Sequence, residues 1–164
     1  MNCRIIDIHT HIYPVALARR AMEVTGHEND DFKKLPIREN LLARMREAGV
    51  DISVNLPVVS KPQNQAEVNR FAKEAARKNI ISFGGLHPDC ENVIEELEKL
   101  KDMEMVGIKF HPPFQKVNLE DPKYEEMWRK INELGFPVLI HMGTARIVRP
   151  YDLYPSGIRK ILKS

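Results

Sequence analysis

The stretch Ile-Ile-Asp-Ile-His-Thr-His-Ile-Tyr-Pro at residues 5–14 decides what fold and chemistry we expect of this chain. It begins as an apolar run and ends in a Tyr-Pro turn signal. Successive side chains of a strand alternate between its faces, so Asp7, His9 and His11 are expected on the same face. Two imidazoles spaced this way can bind one metal ion from one side, whereas on a helix they would point about 200° apart. The alternative is a pair of histidines that make ordinary hydrogen bonds at a strand end.

Composition indicates an ordinary soluble domain. The chain has 164 residues, of which 43% are hydrophobic and 29% charged, which suffices for one domain with a core. A net charge of +2 gives no reason to expect nucleic acid or a membrane surface as a partner. Cys3 and Cys90 are far apart, with neither a disulfide framework nor a zinc-cysteine spacing, which suits a reducing cytosol. No apolar run approaches the roughly 18 residues of a membrane span, and we expect a cytoplasmic protein.

Strand-like and helix-like patterns alternate along the whole chain. Apolar runs typical of strands occupy residues 3–8, 52–56, 80–86, 105–110 and 137–140. Segments with helical apolar spacing separate these runs, which predicts a parallel sheet with right-handed crossovers. Such a sheet is either doubly wound or part of a (β/α)8 barrel. The chain lacks a Gly-x-Gly-x-x-Gly fingerprint and a Gly-Lys-Ser/Thr loop, which counts against a nucleotide-binding doubly wound fold.

Five of the six histidines come at or just past the end of a predicted strand. They are His9, His11, His87, His111 and His141. The carboxyl ends of parallel strands form the active face of α/β folds, so these imidazoles are expected on one rim. A pair of imidazoles with a third from another strand is a metal site with open coordination positions, which can activate water at neutral pH. Histidine ligands suit zinc, and also iron or manganese.

Four segments, taken in order, resemble the amidohydrolase superfamily. They are residues 7–11 (Asp-Ile-His-Thr-His), 85–88 (Gly-Leu-His-Pro), 107–113 (Gly-Ile-Lys-Phe-His-Pro-Pro) and 138–143 (Val-Leu-Ile-His-Met-Gly). More narrowly they resemble its amidohydrolase-related branch of metal-dependent hydrolases and decarboxylases of the aminocarboxymuconate semialdehyde type. The resemblance implies that residues 1–164 form the N-terminal part of a single (β/α)8 TIM-type barrel domain, truncated to roughly its first five β/α units.

The resemblance also implies roles for individual residues. His9, His11 and His141 are expected to bind one divalent transition metal, with zinc the first choice and iron or manganese the alternatives. Lys109 lies where some superfamily members carry a carbamylated lysine, although an unmodified ammonium that faces solvent or substrate is expected in this branch. His111 has the same strand parity as Lys109, so both are candidate catalytic residues, and a hydrogen bond within the Pro-Pro loop is the alternative for His111.

Three further residues are candidates for supporting roles. Asp7 is expected to orient one of the metal-binding histidines without contacting the metal itself. His87 is a candidate substrate-binding residue, or it serves only to shape the His-Pro turn. Arg146, after the fifth strand, is a candidate for binding a substrate carboxylate, with a solvated loop charge as the alternative.

A complete (β/α)8 barrel needs about 250 residues, more than the chain contains. The family pattern continues with a histidine at the sixth strand and an aspartate at the eighth, the expected acid and base. Strands one and five would be free edges, open to a second copy or a complementary chain. A fragment of a longer protein, a product of a damaged or split gene, and a short protein that pairs with another chain all fit this pattern.

The function expected is a metal-dependent hydrolase or decarboxylase that acts on a small organic acid or amide through metal-activated water. One alternative is a TatD-like nuclease or phosphoesterase, which also opens with a His-x-His strand. Those enzymes usually carry a glutamate where this chain has Lys109, and the chain lacks a basic nucleic-acid surface. The other alternative is a non-catalytic remnant or subunit. The expected ligand is a small-molecule substrate, with no nucleic-acid or membrane partner.

Overall fold

Strands and helices alternate in the computed structural model, which describes residues 3–27, 31–145, 148–153 and 155–162. The strands are β1 (Ile6–Thr10), β2 (Ile52–Asn55), β3 (Ile80–Ser82), β4 (Gly84–Gly85), β5 (Ile108–Phe110), β6 (Val138–Ile140), β7 (Gly143–Ala145) and β8 (Val148–Leu153). The helices are α1 (Val15–Thr25), α2 (Arg38–Ala48), α3 (Gln65–Ala75), α4 (Val93–Asp102), α5 (Pro112–Gln115), α6 (Glu125–Glu133) and α7 (Pro155–Ile161).

The first six strands form one parallel arc in chain order. β1, β2 and β3 pair in sequence, and so do β4, β5 and β6, all in parallel. Only Phe83 separates β3 from β4, and its N–H bonds to the Asn55 carbonyl on β2 at 3.0 Å. The next N–H, that of Gly84, bonds to the Gly107 carbonyl at 2.8 Å, so a single bent strand joins the two halves of the arc.

This strand order identifies the architecture. A doubly wound sheet places later strands on both sides of the first one, whereas a barrel adds each strand beside the previous one. The arc follows the barrel order, and it contains the five predicted strands, the third of them bent into β3 and β4. The prediction of a truncated (β/α)8-type barrel is therefore confirmed.

The core lies where β4 and β5 pack under α4 and α6. The apolar spacing of α4 turns Leu97 and Leu100 toward the sheet, and both are fully buried. Ile108 and Phe110 of β5 are equally buried, and the Phe110 ring meets Trp128 edge-to-face at 5.4 Å between centroids. The middle of the arc is therefore the best packed part of the described chain.

The two ends of the arc are less covered. In the part of the chain that the structure describes, β1 pairs only with β2 and β6 pairs only with β5. Ile6 and Ile8 of β1 keep 51% and 63% of their surface exposed. Parallel strands normally have both faces covered, so this exposure marks β1 as an edge.

Helix α1, the short helix α5 and the antiparallel pair β7–β8 are additions to the predicted pattern. Helix α1 follows β1 directly and ends at Gly26, whose backbone adopts the left-handed conformation. The antiparallel pair β7–β8 follows β6 and packs against α5.

Cys3 is exposed, Cys90 is partly buried, and both are free thiols. None of the described helices is long and apolar enough to cross a membrane.

Candidate metal and substrate site at the strand ends

The five strand-end histidines lie at one edge of the arc. His9 and His11 lie at the end of β1, His87 after β4, His111 after β5 and His141 after β6. Because all these strands run in parallel, their carboxyl ends meet at the same rim.

His9 and His11 form a close pair. Their ring centroids are 5.1 Å apart, with an edge-to-face angle of 69°. The register between β1 and β2 shifts by a residue between Asp7 and Thr10, so plain strand alternation does not describe this segment. Asp7 is exposed, and its carboxylate accepts the backbone N–H of His9 at 3.0 Å. That carboxylate therefore stabilises the strand end through a backbone contact.

The ring of His11 is fixed in one tautomer. Its Nδ1 lies 2.7 Å from the Leu56 carbonyl oxygen, which can only accept a hydrogen bond. Nδ1 therefore carries the proton and Nε2 keeps its lone pair. Burial lowers the pKa of His11 to about 4, so the ring is neutral at pH 7. A neutral imidazole oriented by a carbonyl is the usual state of a histidine metal ligand.

Three aromatic rings form a stack beyond β5. The His111 ring lies 4.0 Å from that of His141 and 4.1 Å from that of Phe114, with interplanar angles of 8° and 11°. The backbone N–H of His141 bonds to the Phe110 carbonyl at 3.0 Å, which ties the start of the loop after β6 to β5. The stack thus connects the histidines of two adjacent strand ends.

His111 serves the loop and faces the site at the same time. Its Nδ1 accepts the backbone N–H of Phe114 at 3.5 Å, which caps α5 and leaves Nε2 as the protonated nitrogen. Burial, followed by the charges of His141 and Lys109, lowers the pKa of His111 to about 3. His111 is therefore a neutral N–H donor at pH 7, and both roles considered for it fit this geometry.

Lys109 is buried among these histidines. Its side chain is only 1% exposed, and its Nζ has no hydrogen-bond partner among the residues that the structure describes. Burial lowers the pKa of this ammonium to about 8. Its charge in turn helps to lower the pKa of His9, His11 and His111. Few lysines are fully buried without a paired acid, so this position is a candidate functional site.

His87 contributes mainly to its turn. Its ring is buried, and its Nδ1 accepts the Asp89 backbone N–H at 3.2 Å. Its own backbone N–H donates to the side-chain oxygen of Gln65 at 2.7 Å. These contacts fit the turn-shaping alternative, and its substrate-binding role stays a prediction. Arg146 lies outside the described residues.

Buried amide side chains brace the strand ends, and the sequence patterns did not predict them. Gln115 accepts the His111 backbone N–H at 2.9 Å and donates to the Leu86 carbonyl at 2.6 Å. Asn69 exchanges two hydrogen bonds with the backbone of Gly85, at 2.9 and 2.8 Å. These bonds fix the chain where β4 and β5 end.

A third amide, Asn55, has a similar role at the end of β2. Its oxygen accepts the Ile12 backbone N–H at 3.1 Å, and its nitrogen donates to the Ser82 hydroxyl at 3.3 Å. The sequence signal for this role is an asparagine inside the apolar run 52–56. A side-chain amide that is buried with such a strand, as Asn55 is, needs hydrogen-bond partners within the protein.

The donors match a divalent transition metal in chemistry, although they are not gathered around one point. Across the described residues, no group of three or more His, Cys, Asp or Glu side chains is placed to hold a metal ion. His9 and His11 supply neutral imidazoles, and the tautomer of His11 suits coordination. His141 makes only a small contribution to the lowered pKa of His11, after burial, Lys109 and His9. The three predicted ligands therefore share a rim without forming a closed cluster.

Several solved structures share the fold at low sequence identity. The IDCase of Metarhizium anisopliae superposes with a TM-score of 0.67 at 13% identity, covering 96% of this chain and 53% of its own. The 2,6-dihydroxybenzoate decarboxylase from Rhizobium gives 0.63 at 18% identity, with coverages of 88% and 51%. The 5-carboxyvanillate decarboxylase from Sphingomonas paucimobilis gives 0.60 at 15% identity, with coverages of 88% and 54%.

The chain thus spans about half the length of the solved structures it matches. No curated protein matches the sequence. The family model described as Amidohydrolase matches residues 6–159, from β1 into α7. This match includes every strand-end histidine, so the chain belongs to the amidohydrolase family.

Proposed function

We propose that the chain is part of a metal-dependent hydrolase or decarboxylase that acts on a small organic acid or amide. In this proposal His9, His11 and His141 hold one divalent transition metal, with zinc the first choice and iron or manganese the alternatives. When bound, such a metal supplies Lewis acidity toward a carbonyl or carboxylate and activates water. Since the solved structures are about twice as long as this chain, the general acid and base are proposed to lie outside these residues.

The fixed tautomer of His11 beside His9 carries the proposal. The bond from His11 Nδ1 to the Leu56 carbonyl leaves Nε2 as the only nitrogen of that ring with a lone pair. The ring of His9 is 5.1 Å away, within the range at which two imidazoles can bind one ion. Lowered pKa values keep both rings free of a competing proton at pH 7.

The proposal about the metal is tested by metal analysis of the purified protein and of single variants. We expect about one transition metal per chain in the parent protein. His9→Ala and His11→Ala should lose it, because each removes one of the few protein ligands. His27→Ala is the matched control, since His27 is an exposed imidazole away from the strand ends, and it should keep the metal. An unchanged metal content in His9→Ala and His11→Ala would contradict the assignment.

The reaction class is tested with two sets of substrates on the metal-loaded protein. The first set consists of carboxylated phenols, for which release of carbon dioxide identifies decarboxylation. The second consists of simple amides, for which appearance of a new carboxylate identifies hydrolysis. The decarboxylase names of two fold neighbours support the first set as the starting point. Turnover of a generic phosphodiester instead would contradict the proposal and favour the nuclease-like alternative.

A further inference from the structure

The amino group of Lys109 is a buried cation whose partner is missing from the described chain. The side chain is 1% exposed and its Nζ makes no hydrogen bond to any residue that the structure describes. Transfer of an ammonium from water to a protein interior is costly unless an anion or several acceptors replace the water. A negatively charged ligand that binds beside the ammonium would offset this cost, so a buried lysine at the rim of a site is a candidate binding residue.

We propose that Lys109 is the counter-ion of a bound carboxylate, so that the strand-end site recognises small organic acids through this ammonium. This inference rests on the proposed function and names the ligand group that the site selects. It requires no metal for binding, and therefore it can be tested separately from the metal site.

The surroundings of Lys109 favour a ligand with one negative charge. Lys109 lies in the central strand of β4–β5–β6, paired in register with Gly85 and Leu139. Of the nearby histidines, His11 has its N–H bonded to the Leu56 carbonyl, so the neutral N–H group beside this ammonium is that of His111. His111 is such a donor, because its Nδ1 accepts a bond from Phe114 and its Nε2 carries the hydrogen. One ammonium with neutral donors matches a carboxylate better than a phosphate dianion.

The nature of the side chain also limits the size of the ligand. A lysine ammonium is a compact point charge on a flexible stem, which can reach one carboxylate oxygen without the planar fork of an arginine. Its Nζ is enclosed, so a small acid is expected to reach it more readily than a bulky one. Acetate and benzoate are therefore suitable probes.

The experiment measures anion binding to the chelator-treated, metal-free protein at constant ionic strength. Benzoate and acetate should raise the melting temperature of the parent protein, since a ligand that binds only the folded state stabilises it. Lys109→Met should melt at a higher temperature without ligand, and its affinity for benzoate should fall about tenfold or more. Lys109→Arg should keep part of the response. Lys123→Met is the control, because Lys123 is an exposed lysine already paired with Asp89, and it should respond like the parent.

A second measurement needs no variant. Reductive methylation followed by mass spectrometry should show that benzoate protects Lys109 and leaves Lys123 unprotected. An undiminished benzoate response in Lys109→Met, or equal modification of Lys109 with and without benzoate, would overturn the proposal. A stronger response to inorganic phosphate than to either carboxylate would overturn the choice of ligand. If the parent protein binds benzoate but contains no transition metal as purified, that result would count against the proposed metal site alone.

Discussion

β5 and β1 belong to the same parallel arc and both carry residues of the candidate site, yet their surroundings differ sharply. All three residues of β5 are buried: Ile108 and Phe110 pack in the core with α4 and α6, and Lys109 lies among the strand-end histidines. Four of the five residues of β1 are exposed. The functional side chains of β5 therefore extend from a buried strand, whereas those of β1 extend from an exposed one.

The difference shows how each half of the site is held in position. The side chains of β5 are fixed by packing, since Ile108 and Phe110 on either side of Lys109 are both in the core. The end of β1 depends on hydrogen bonds to β2 instead. Thr10 donates its hydroxyl to the Val54 carbonyl at 2.9 Å, and His11 donates to the Leu56 carbonyl at 2.7 Å. Packing thus positions the buried ammonium, whereas hydrogen bonds position the proposed metal ligands.

The largest expected effect tests the packing of β5. Leu100 of α4 is 1% exposed and lies so close to Gly84 that a Cβ there would be 2.7 Å from its Cδ2. Leu100→Ala should lower the free energy of unfolding by about 3–5 kcal/mol, because it removes buried methyl groups and leaves a cavity. Urea unfolding followed by circular dichroism measures this loss.

The control for Leu100→Ala is Val106→Ala, which truncates a residue just before β5 that keeps 46% of its surface exposed. It should change the unfolding free energy by no more than about 0.5 kcal/mol. If both substitutions lowered the free energy of unfolding by the same amount, the burial of Leu100 would not account for its contribution to stability.

An intermediate effect is expected from the charge of Lys109. Its pKa is lowered by burial to about 8, whereas an unfolded lysine titrates near 10.4. The unfolded chain therefore binds more protons between these values, and stability should rise as the pH increases from about 8 to about 10.4. The penalty is fully present below pH 8 and amounts to as much as about 3 kcal/mol. His9, His11 and His111 have lowered pKa values and stay neutral throughout this range.

Lys109→Met provides the comparison for that pH dependence. Unfolding free energies of the parent and the variant, measured from pH 7 to pH 10.5, should differ most at pH 7 and converge at the alkaline end. Subtraction of the two curves removes the titration of the cysteines and tyrosines that both proteins share. A constant difference across the range would mean that Lys109 has an acceptor in the folded protein.

The sequence was sufficient to predict much of this arrangement. The order of strands and helices and the histidines at the strand ends follow from apolar spacing and from the geometry of parallel sheets. The register shift in β1 depends on pairing with β2, a contact between distant residues that no local pattern encodes. The burial of Lys109 depends on the neighbouring strand ends and their histidines, which surround it only in the folded chain. The β7–β8 pair, with Gly143 and Pro150, lacks the alternation that would indicate strands.

The smallest effect is expected on β1, at the opposite extreme of the comparison. Ile8 is 63% exposed, so Ile8→Thr removes little buried surface while it keeps a β-branched side chain. The unfolding free energy of the isolated chain should change by no more than about 0.5 kcal/mol. An exposed apolar edge strand can also pair with another chain, either a second copy of this chain or a complementary one. Light scattering at several protein concentrations measures this association. If Ile8→Thr no longer associates and its monomer is as stable as that of the parent, β1 is an interface. A large loss of monomer stability would instead show that another element covers Ile8 and that β1 is not an exposed strand.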